Sequence, residues 1–326
     1  PDRWGMGESP FAASGQVLSS VLDRIDRMYV DRVDRSRLTE VAIDAILDEL
    51  DPHSDWFSAE ELAAMAEPME GNFEGIGVEF LLQNDTIMVV TPIPGGPSSE
   101  AGVLSGDRIV SVDDSVIAGT GLTNAKVMKL LKGPAGTEVR LGLMRPGEQD
   151  SGKVDVALNR GRIPIHSVVA AERMPGNVGY LKVIRFARNT HIEFGQALAD
   201  LIEQGAERFV LDLRGNGGGY LHAAVPMVEE FLEEGDLVVY TEGAAQPRRE
   251  YITDRPGQLR NPPLVVMVDE GSASASEILA GALQDHDRAV VVGRRTFGKG
   301  LVQEEFPVAD RGALRLTVAR YYTPSG

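Results

Sequence analysis

Apolar residues over the first part of the chain recur in a helical pattern. Over residues 17–28 they are spaced by three and four positions, which places them on one face of a helix. A second amphipathic helix is predicted over residues 36–50, ending at an Asp-Pro dipeptide, because the residue before a proline disfavours the helical conformation. Ser58 is typical of the N-cap of a third helix, over residues 58–65. We therefore predict an N-terminal helical domain over residues 1–68.

The pattern changes at Gly71 to short extended segments separated by glycine-containing turns. Alternation of apolar and polar positions is typical of strands with one buried face. We predict a small β-rich module over residues 69–159. Its predicted elements are strands at residues 87–90, 109–112, 137–144 and 154–158, a helix at residues 125–131 and a hairpin turn at residues 146–152.

From Asn177 onward, predicted strands alternate with predicted helices. A β-α-β order favours an α/β domain with a largely parallel sheet, because parallel strands need a crossover connection. We predict such a domain over residues 160–326, ending in two extended pieces at 302–308 and 313–322. The predicted strands before them are 178–186, 209–213, 237–240, 264–268 and 289–292, and the predicted helices are 191–204, 221–232 and 276–283.

Composition excludes several classes of function. The net charge is −17, which makes nucleic acid an unsuitable partner because nucleic-acid binding proteins present basic patches. The chain has no cysteine, so disulfides, thiolate metal sites and a cysteine nucleophile are excluded. No histidine or acidic cluster has the spacing of metal ligands, and we predict neither a metal nor a cofactor.

A serine-rich turn follows the predicted strand at residues 264–268. Ser274 lies in this turn, where the carboxyl end of a strand can present a nucleophile, and the amide of Ala275 could donate to an oxyanion at the start of the next helix. The alternative is that Ser272, Ser274 and Ser276 are N-capping residues. Both interpretations stay open, since three serines can divide these roles.

A serine nucleophile needs a base, and Lys299 is a stronger candidate for it than His286. It lies between two glycines just after a predicted buried strand, and a lysine that is kept neutral by burial can accept a proton. The alternative is an exposed loop lysine. Gln303, four residues further on, could orient Lys299 or the serine. His286 is flanked by aspartates, and we expect it to face solvent.

Two glycine-rich stretches could supply backbone amides. The loop at residues 215–219 follows a predicted strand but lacks the lysine of a phosphate-binding loop, which leaves an oxyanion hole or a plain flexible turn. The second stretch precedes a predicted strand, where freed amides could bind a chain terminus and the strand edge could accept an added strand. It comprises Gly75, Ile76, Gly77 and Val78.

Several long motifs in this order resemble the carboxyl-terminal processing peptidases, which are serine peptidases with an embedded PDZ domain. The resemblance covers nearly the whole chain. It rests on LDPHSDWFSAEE, GIGVEF, SEAGVLSGDRIVSVDD, KGPAGTEVRL, LDLRGNGGG, GSASASEILAGALQD, FGKGLVQ and YYTPSG.

The resemblance implies a role for each site residue. Ser274 matches the family's nucleophile, Lys299 its general base, and Gln303 the glutamine four residues after that base. The oxyanion amides would come from Ala275 and from Gly218 or Gly219, between which the sequence does not choose.

The resemblance also implies an α/β multidomain fold, with a crotonase/ClpP-like α/β peptidase core, an inserted PDZ domain and the N-terminal helical domain. The expected activity is serine endopeptidase cleavage of proteins recognised at or near an apolar C-terminus, in the periplasm, in the cell envelope or outside a bacterial cell. A homo-oligomer or an adaptor partner is left open. The family's pattern continues past YYTPSG, so we expect the chain to be truncated there. The rival functions are a non-catalytic PDZ scaffold and a crotonase-like enzyme acting on acyl-CoA.

Overall fold

The computed structural model of the protein describes residues 10–58, 61–62, 69–146, 152–308 and 312–326. Most of the third predicted helix, the centre of the predicted hairpin turn at residues 146–152, and the predicted boundary at residue 68 lie outside these residues. The chain forms two compact units. The first comprises the described parts of 1–63, 243–247 and 301–320, and the second those of 64–242, 248–300 and 321–326. The three predicted domains stay a prediction.

The described residues contain both helices and strands. None of these helices combines the length and the apolar character needed to cross a membrane. The helices are α1 (Pro10–Met28), α2 (Arg35–Asp48), α3 (Pro97–Glu100), α4 (Asn124–Leu131), α5 (Thr190–Glu203), α6 (Leu221–Glu229) and α7 (Ala275–Asp285). The strands are β1 (Asp55–Ser58), β2 (Asn72–Gly75), β3 (Val78–Leu82), β4 (Ile87–Pro92), β5 (Arg108–Val112), β6 (Ser115–Val116), β7 (Glu138–Met144), β8 (Lys153–Asn159), β9 (Gly161–Pro164), β10 (Val168–Met174), β11 (Val178–Val183), β12 (Arg208–Asp212), β13 (Leu237–Glu242), β14 (Arg249–Ile252), β15 (Leu264–Val268), β16 (Val290–Gly293), β17 (Leu301–Val308) and β18 (Gly312–Tyr322).

In the first unit, helices α1 and α2 precede a short strand that sequence periodicity did not predict. Asp34 caps α2, because its side chain accepts hydrogen bonds from the amides of Ser36 and Arg37. Strand β1 lies between the second and third predicted helices, where no strand was expected, and it pairs antiparallel with β18, Trp56 opposite Leu314. Strand β17 pairs with the same partner. The expectation of a purely helical N-terminal region is therefore wrong over β1, because a distant strand supplies its hydrogen bonds.

In the second unit, the β-rich module forms an antiparallel sheet in the order β3-β4-β5-β7-β8. Its buried core includes Ile87, Val89, Ile109 and Leu141, at alternate positions of their strands, and Val127 of α4. Strands β2 and β9 pair antiparallel at the two ends of the module, so its entry and exit are adjacent.

The α/β part of the second unit has the predicted parallel arrangement. Its sheet has the order β10-β11-β12-β15-β16, and every neighbouring pair except β10–β11 is parallel. Three neighbouring strands, β12, β15 and β16, lead at their carboxyl ends into the glycine-rich loop, the serine turn and the lysine loop. Because parallel strands end at one edge of a sheet, this topology brings the three sequence motifs to the same place.

Candidate active site

The serine turn holds Ser274 in an unusual backbone conformation. Its φ is 55° and its ψ is −113° at the N-cap of α7. A non-glycine residue in this region is strained, and such strain persists only where the surroundings impose it. The Ser274 amide donates to Glu277 Oε2 at 2.8 Å. The serine side chain is thus presented by a turn whose geometry is set by its neighbours.

The other two serines of the turn connect it to the glycine-rich loop. The Ser272 hydroxyl donates to the carbonyl of Leu213 and the Ser276 hydroxyl to that of Asn216, each at 2.8 Å. Both serines are fully buried. Capping is therefore the wrong interpretation for these two residues, and Ser274 alone occupies the N-cap.

The glycine-rich loop passes directly beside Ser274. A Cβ added at Gly218, whose φ is +97°, would lie 2.8 Å from Ser274 Cβ and 3.0 Å from the Ala275 nitrogen. Only glycine at this position leaves that space open for another atom. A Cβ at Gly219 would instead collide with the carbonyl of Phe186. Of the two glycines, Gly218 is the one that faces the serine turn.

Asn216 fixes the glycine-rich loop through hydrogen bonds of its side chain and its carbonyl. Its Oδ1 accepts a hydrogen bond from the Gly218 amide at 2.9 Å, and its Nδ2 donates to the carbonyl of Val183 at 3.0 Å. Its own carbonyl accepts the Ala273 amide at 3.0 Å as well as the Ser276 hydroxyl. One buried asparagine therefore joins the sheet, the glycine-rich loop and the serine turn.

Asp212, at the end of β12, braces the start of the same loop. Its carboxylate accepts hydrogen bonds from Arg214 Nε at 3.0 Å, from Arg214 Nη2 at 2.8 Å and from the Tyr180 hydroxyl at 2.7 Å. Burial raises the pKa of Asp212, but the hydrogen bonds from Arg214 and Tyr180 outweigh it and hold that pKa well below its ordinary value. The carboxylate is therefore ionised at neutral pH and can orient Arg214.

Ser274 and Lys299 line one cavity of about 200 Å³. Both residues are at least partly shielded from solvent. Burial raises the pKa of Tyr321, also in this cavity, to about 12, so its phenol is neutral. The remaining lining residues are Val239, Glu277, Ile278, Gly298, Gly300 and Thr323.

Glu277 connects the serine turn with the lysine loop. Besides the Ser274 amide, it accepts the Gly298 amide on Oε1 at 2.6 Å and the Lys299 amide on Oε2 at 2.8 Å. From the sequence alone, no role was assigned to Glu277. A glutamate three residues after an N-cap is a known signal for a bond back to the cap amide, but nothing in the sequence points to its bonds with the lysine loop.

Asp269 was also missed. Its Oδ1 accepts the amides of Gly215 and Gly271, at 2.8 Å and 2.9 Å, and so joins the serine turn to the glycine-rich loop. His286, expected to face solvent, is half-buried, and its Nε2 lies 2.8 Å from the carbonyl of Leu237. That expectation was wrong, because flanking aspartates do not reveal the neighbouring strand.

Gln303 belongs to the first compact unit. Its Nε2 donates to the carbonyl of His53 at 3.0 Å. Its role toward Lys299 stays a prediction that rests on the spacing of four residues and on the family resemblance.

The stretch Gly75–Val78 begins the edge strand of the antiparallel sheet, because β3 pairs only with β4 among the described strands. Ile76 is buried, and its carbonyl accepts the Ser98 amide at 3.0 Å. Gly77 has a φ of +74°, and its carbonyl accepts the Ile93 amide. A fixed turn followed by an open strand edge is suited to adding a peptide strand.

Within the described residues, no group of three or more acidic or histidine side chains could hold a metal ion. The prediction of no cofactor stays a prediction.

Comparison with known protein families agrees with this architecture. A PDZ domain model matches residues 75–157, and a model of peptidase family S41 matches residues 177–326. The fold and the matched families define a serine-type peptidase that carries a PDZ domain.

Similarity to individual relatives identifies a particular family within this class of peptidase. The carboxy-terminal-processing protease of Bartonella bacilliformis is 39% identical over 311 residues, covering 94% of this chain and 70% of the relative. Carboxy-terminal processing protease CtpB of Bacillus subtilis is 32% identical, covering 95% of this chain and 64% of that protein. The solved structure of a photosystem II D1 C-terminal processing protease is 32% identical with a TM-score of 0.53, covering 95% of this chain and 89% of that one. The chain belongs to the family of carboxy-terminal processing proteases.

Proposed function

We propose that this chain is a serine endopeptidase that uses Ser274 and Lys299 as a catalytic dyad. The observation that carries the proposal is the single cavity lined by both side chains, beside the glycine-rich loop. A metal-free acyl transfer needs a nucleophile, a base and amide donors, and these residues offer all three. Family membership supports the same chemistry.

In the proposed reaction, neutral Lys299 accepts the proton of the Ser274 hydroxyl while Oγ attacks the scissile carbonyl carbon. The carbonyl oxygen becomes an oxyanion, stabilised by the Ala275 amide and by an amide of the glycine-rich loop. Gly218 and Gly219 are the two candidates in that loop, and the Gly218 amide would have to exchange its bond to Asn216 Oδ1 for one to the oxyanion. The Lys299 ammonium then protonates the leaving amine as the peptide bond breaks, which leaves an acyl-enzyme. Water, deprotonated by Lys299, attacks this ester and releases the carboxylate product with Ser274 restored.

We propose that substrates are recognised through the PDZ domain at an apolar C-terminus. Amides of the turn at Gly75–Val78 would bind the terminal carboxylate, and the edge of β3 would accept the peptide as an added strand. The resemblance further supports a place in the cell envelope, and it leaves a homo-oligomer or an adaptor as proposals.

Cleavage assays test the dyad. The substrate is an unstructured protein with an apolar C-terminus, and the enzymes are the wild type, Ser274→Ala, Lys299→Ala and the matched control Lys153→Ala, which alters an exposed lysine of the PDZ sheet. We expect both dyad variants to lose about 10³-fold or more in kcat and the control to keep its activity.

Retention of activity by either dyad variant would make the proposed mechanism wrong. A wild type that binds the substrate but never cleaves it would favour the PDZ scaffold, and hydrolysis of an acyl-CoA thioester without peptide cleavage would favour the crotonase-like alternative.

A further inference from the structure

The open edge of β3 carries a carboxylate that the mechanism above does not use. Glu79 is the one charged residue of this strand. It is exposed, and within the described residues its carboxylate forms no hydrogen bond or ion pair. Among the described strands β3 pairs only with β4, which contains no charged residue. An acidic side chain therefore lies on an exposed strand edge with no cation on the neighbouring strand.

The side chains of β3 alternate between the two faces of the sheet. Three of them pack against the buried core of the PDZ domain but stay only half-buried, and these are Val78, Phe80 and Leu82. Glu79 and Leu81 lie on the opposite face and are exposed. The irregularity in the pairing with β4 skips Val90 of β4, so the alternation along β3 is unbroken. The half-buried apolar row can still cover apolar side chains of an added strand.

The turn before β3 sets the direction in which a peptide would add. In the function proposed above, amides of Gly75–Val78 bind the terminal carboxylate of the substrate, and this turn lies at the start of β3. The rest of the peptide then extends from the start of β3 toward its end as its own residue numbers decrease. The added strand is therefore antiparallel to β3.

This direction and the alternation of side chains together determine which substrate residue lies beside Glu79. An apolar terminal side chain belongs on the core-facing side, next to Val78, because that side carries the half-buried apolar row. The penultimate residue then lies opposite Glu79, on the same face of the sheet as its carboxylate, and the residue before it lies opposite Phe80. Directly opposite residues of an antiparallel pair have Cβ atoms about 4.5–5.5 Å apart, so their charges interact.

We propose that the PDZ domain prefers substrates whose penultimate residue is Lys or Arg, which pairs across the two strands with Glu79. This inference rests on the proposed recognition of a C-terminus and adds a substrate class to it. The competing interpretation is that Glu79 only prevents strands of other molecules from pairing with the open edge. Edge protection requires a charge of either sign, whereas cross-strand pairing requires a preference that follows the sign of the charge at this position.

Binding of C-terminal peptides tests the pairing. Fluorescence polarisation measures the Kd of short labelled peptides that end in Lys-Val, Ala-Val or Glu-Val and are otherwise identical. The protein is the full chain with Ser274→Ala, which prevents cleavage during the measurement. We expect the Lys-Val peptide to bind about twofold to fivefold more tightly than the Ala-Val peptide, and the Glu-Val peptide to bind more weakly by a similar factor.

Variants at Glu79 connect the preference to this side chain. Glu79→Gln should make the three peptides bind about equally, and Glu79→Lys should reverse their order so that the Glu-Val peptide binds most tightly. The matched control is Asp155→Asn, which neutralises an exposed carboxylate on β8 at the opposite edge of the same sheet and should keep the original order. High salt should reduce the difference between the peptides, because exposed charges are screened.

The proposal is overturned if the three peptides bind equally to the chain with Glu79 intact, or if Glu79→Lys still prefers the Lys-Val peptide. Faster aggregation of Glu79→Gln with an unchanged order of Kd would support edge protection instead. Peptides with an amidated C-terminus keep these failures distinct from failure of the proposed function. Equally tight binding of amidated peptides refutes recognition of the terminal carboxylate, whereas carboxylate-dependent binding without a penultimate preference refutes only the role of Glu79.

Discussion

The serine turn (residues 269–277) and the lysine loop (residues 294–300) follow neighbouring parallel strands, yet they are held differently. Residues 272–276 are all buried, and their serines and amides bond to the glycine-rich loop. Most of the lysine loop is exposed, including Phe297 at 63%. Its amides bond mainly to groups of the serine turn, Glu277 above all.

This difference indicates that the proposed nucleophile, Ser274, is preorganised by the core, whereas the proposed base, Lys299, depends on a few contacts. Bonds among buried groups open only with large parts of a structure, while an exposed loop can open locally at low cost. Positioning of reacting groups contributes strongly to catalysis, so in the proposed dyad the more weakly held partner limits how often the two side chains are correctly placed. Glu277 accepts hydrogen bonds from both segments, so it is the residue through which the buried serine turn positions the lysine loop.

The largest effect on kcat is expected from a substitution that adds a methyl group beside the tightly packed serine turn. In Gly218→Ala, the new methyl group would enter the space beside Ser274 Cβ and the Ala275 amide. We expect kcat to fall by about 10²–10³-fold, the size of effect that follows loss of an oxyanion donor. Steady-state kinetics and acylation of Ser274 by a fluorophosphonate would both report the loss.

Gly217→Ala is the matched control, since no atom lies within 4 Å of the added carbon. If both variants were equally active, the space beside Ser274 would not be where the oxyanion forms, and the claim that this side of the dyad is preorganised would be wrong.

A smaller loss is expected from Glu277→Gln, which tests the link between the two segments. An amide can accept on one atom only, so it cannot receive the Ser274, Gly298 and Lys299 amides together. Loss of one or two charge-assisted bonds corresponds to about a tenfold fall in kcat. Hydrogen exchange should accelerate in residues 294–300 while residues 272–276 stay protected.

Glu270→Gln controls for the general loss of a carboxylate near the lysine loop. Glu270 pairs with Arg294 of that loop at 2.5 Å, but both side chains are about 70% exposed. Surface pairs of this kind contribute little, so activity should change less than about twofold. If hydrogen exchange in Glu277→Gln accelerated equally in the serine turn and the lysine loop, the lysine loop would not be the more weakly held of the two.

Local sequence signals explain which parts of this site could be predicted. Ser274, Lys299 and the glycine-rich loop follow strands that apolar runs reveal, and the β-α-β order implies that their loops share an edge. Asn216 and Asp269 were missed because each acts through bonds to a loop more than 50 positions away. Strand β1 was missed for the same reason, since its partner β18 is far along the chain and four residues carry too little periodicity to indicate a strand.

The smallest effect is expected on the free energy of unfolding and its pH dependence, when Asp212 next to the glycine-rich loop is changed. The pKa of Asp212 is lowered in the folded protein, so its bonds to Arg214 and Tyr180 stabilise the fold above the ordinary aspartate pKa of about 4 and are lost as the pH falls through the lower folded value. Asp212→Asn should therefore lower the free energy of unfolding by about 2 kcal/mol at pH 7, and the difference from the wild type should shrink below about pH 4. Denaturant unfolding of both proteins between pH 7 and pH 3 measures this difference. Glu270→Gln, on the exposed lysine loop, should show little difference at any pH, and a constant gap for Asp212→Asn would mean that its ionisation does not hold the glycine-rich loop.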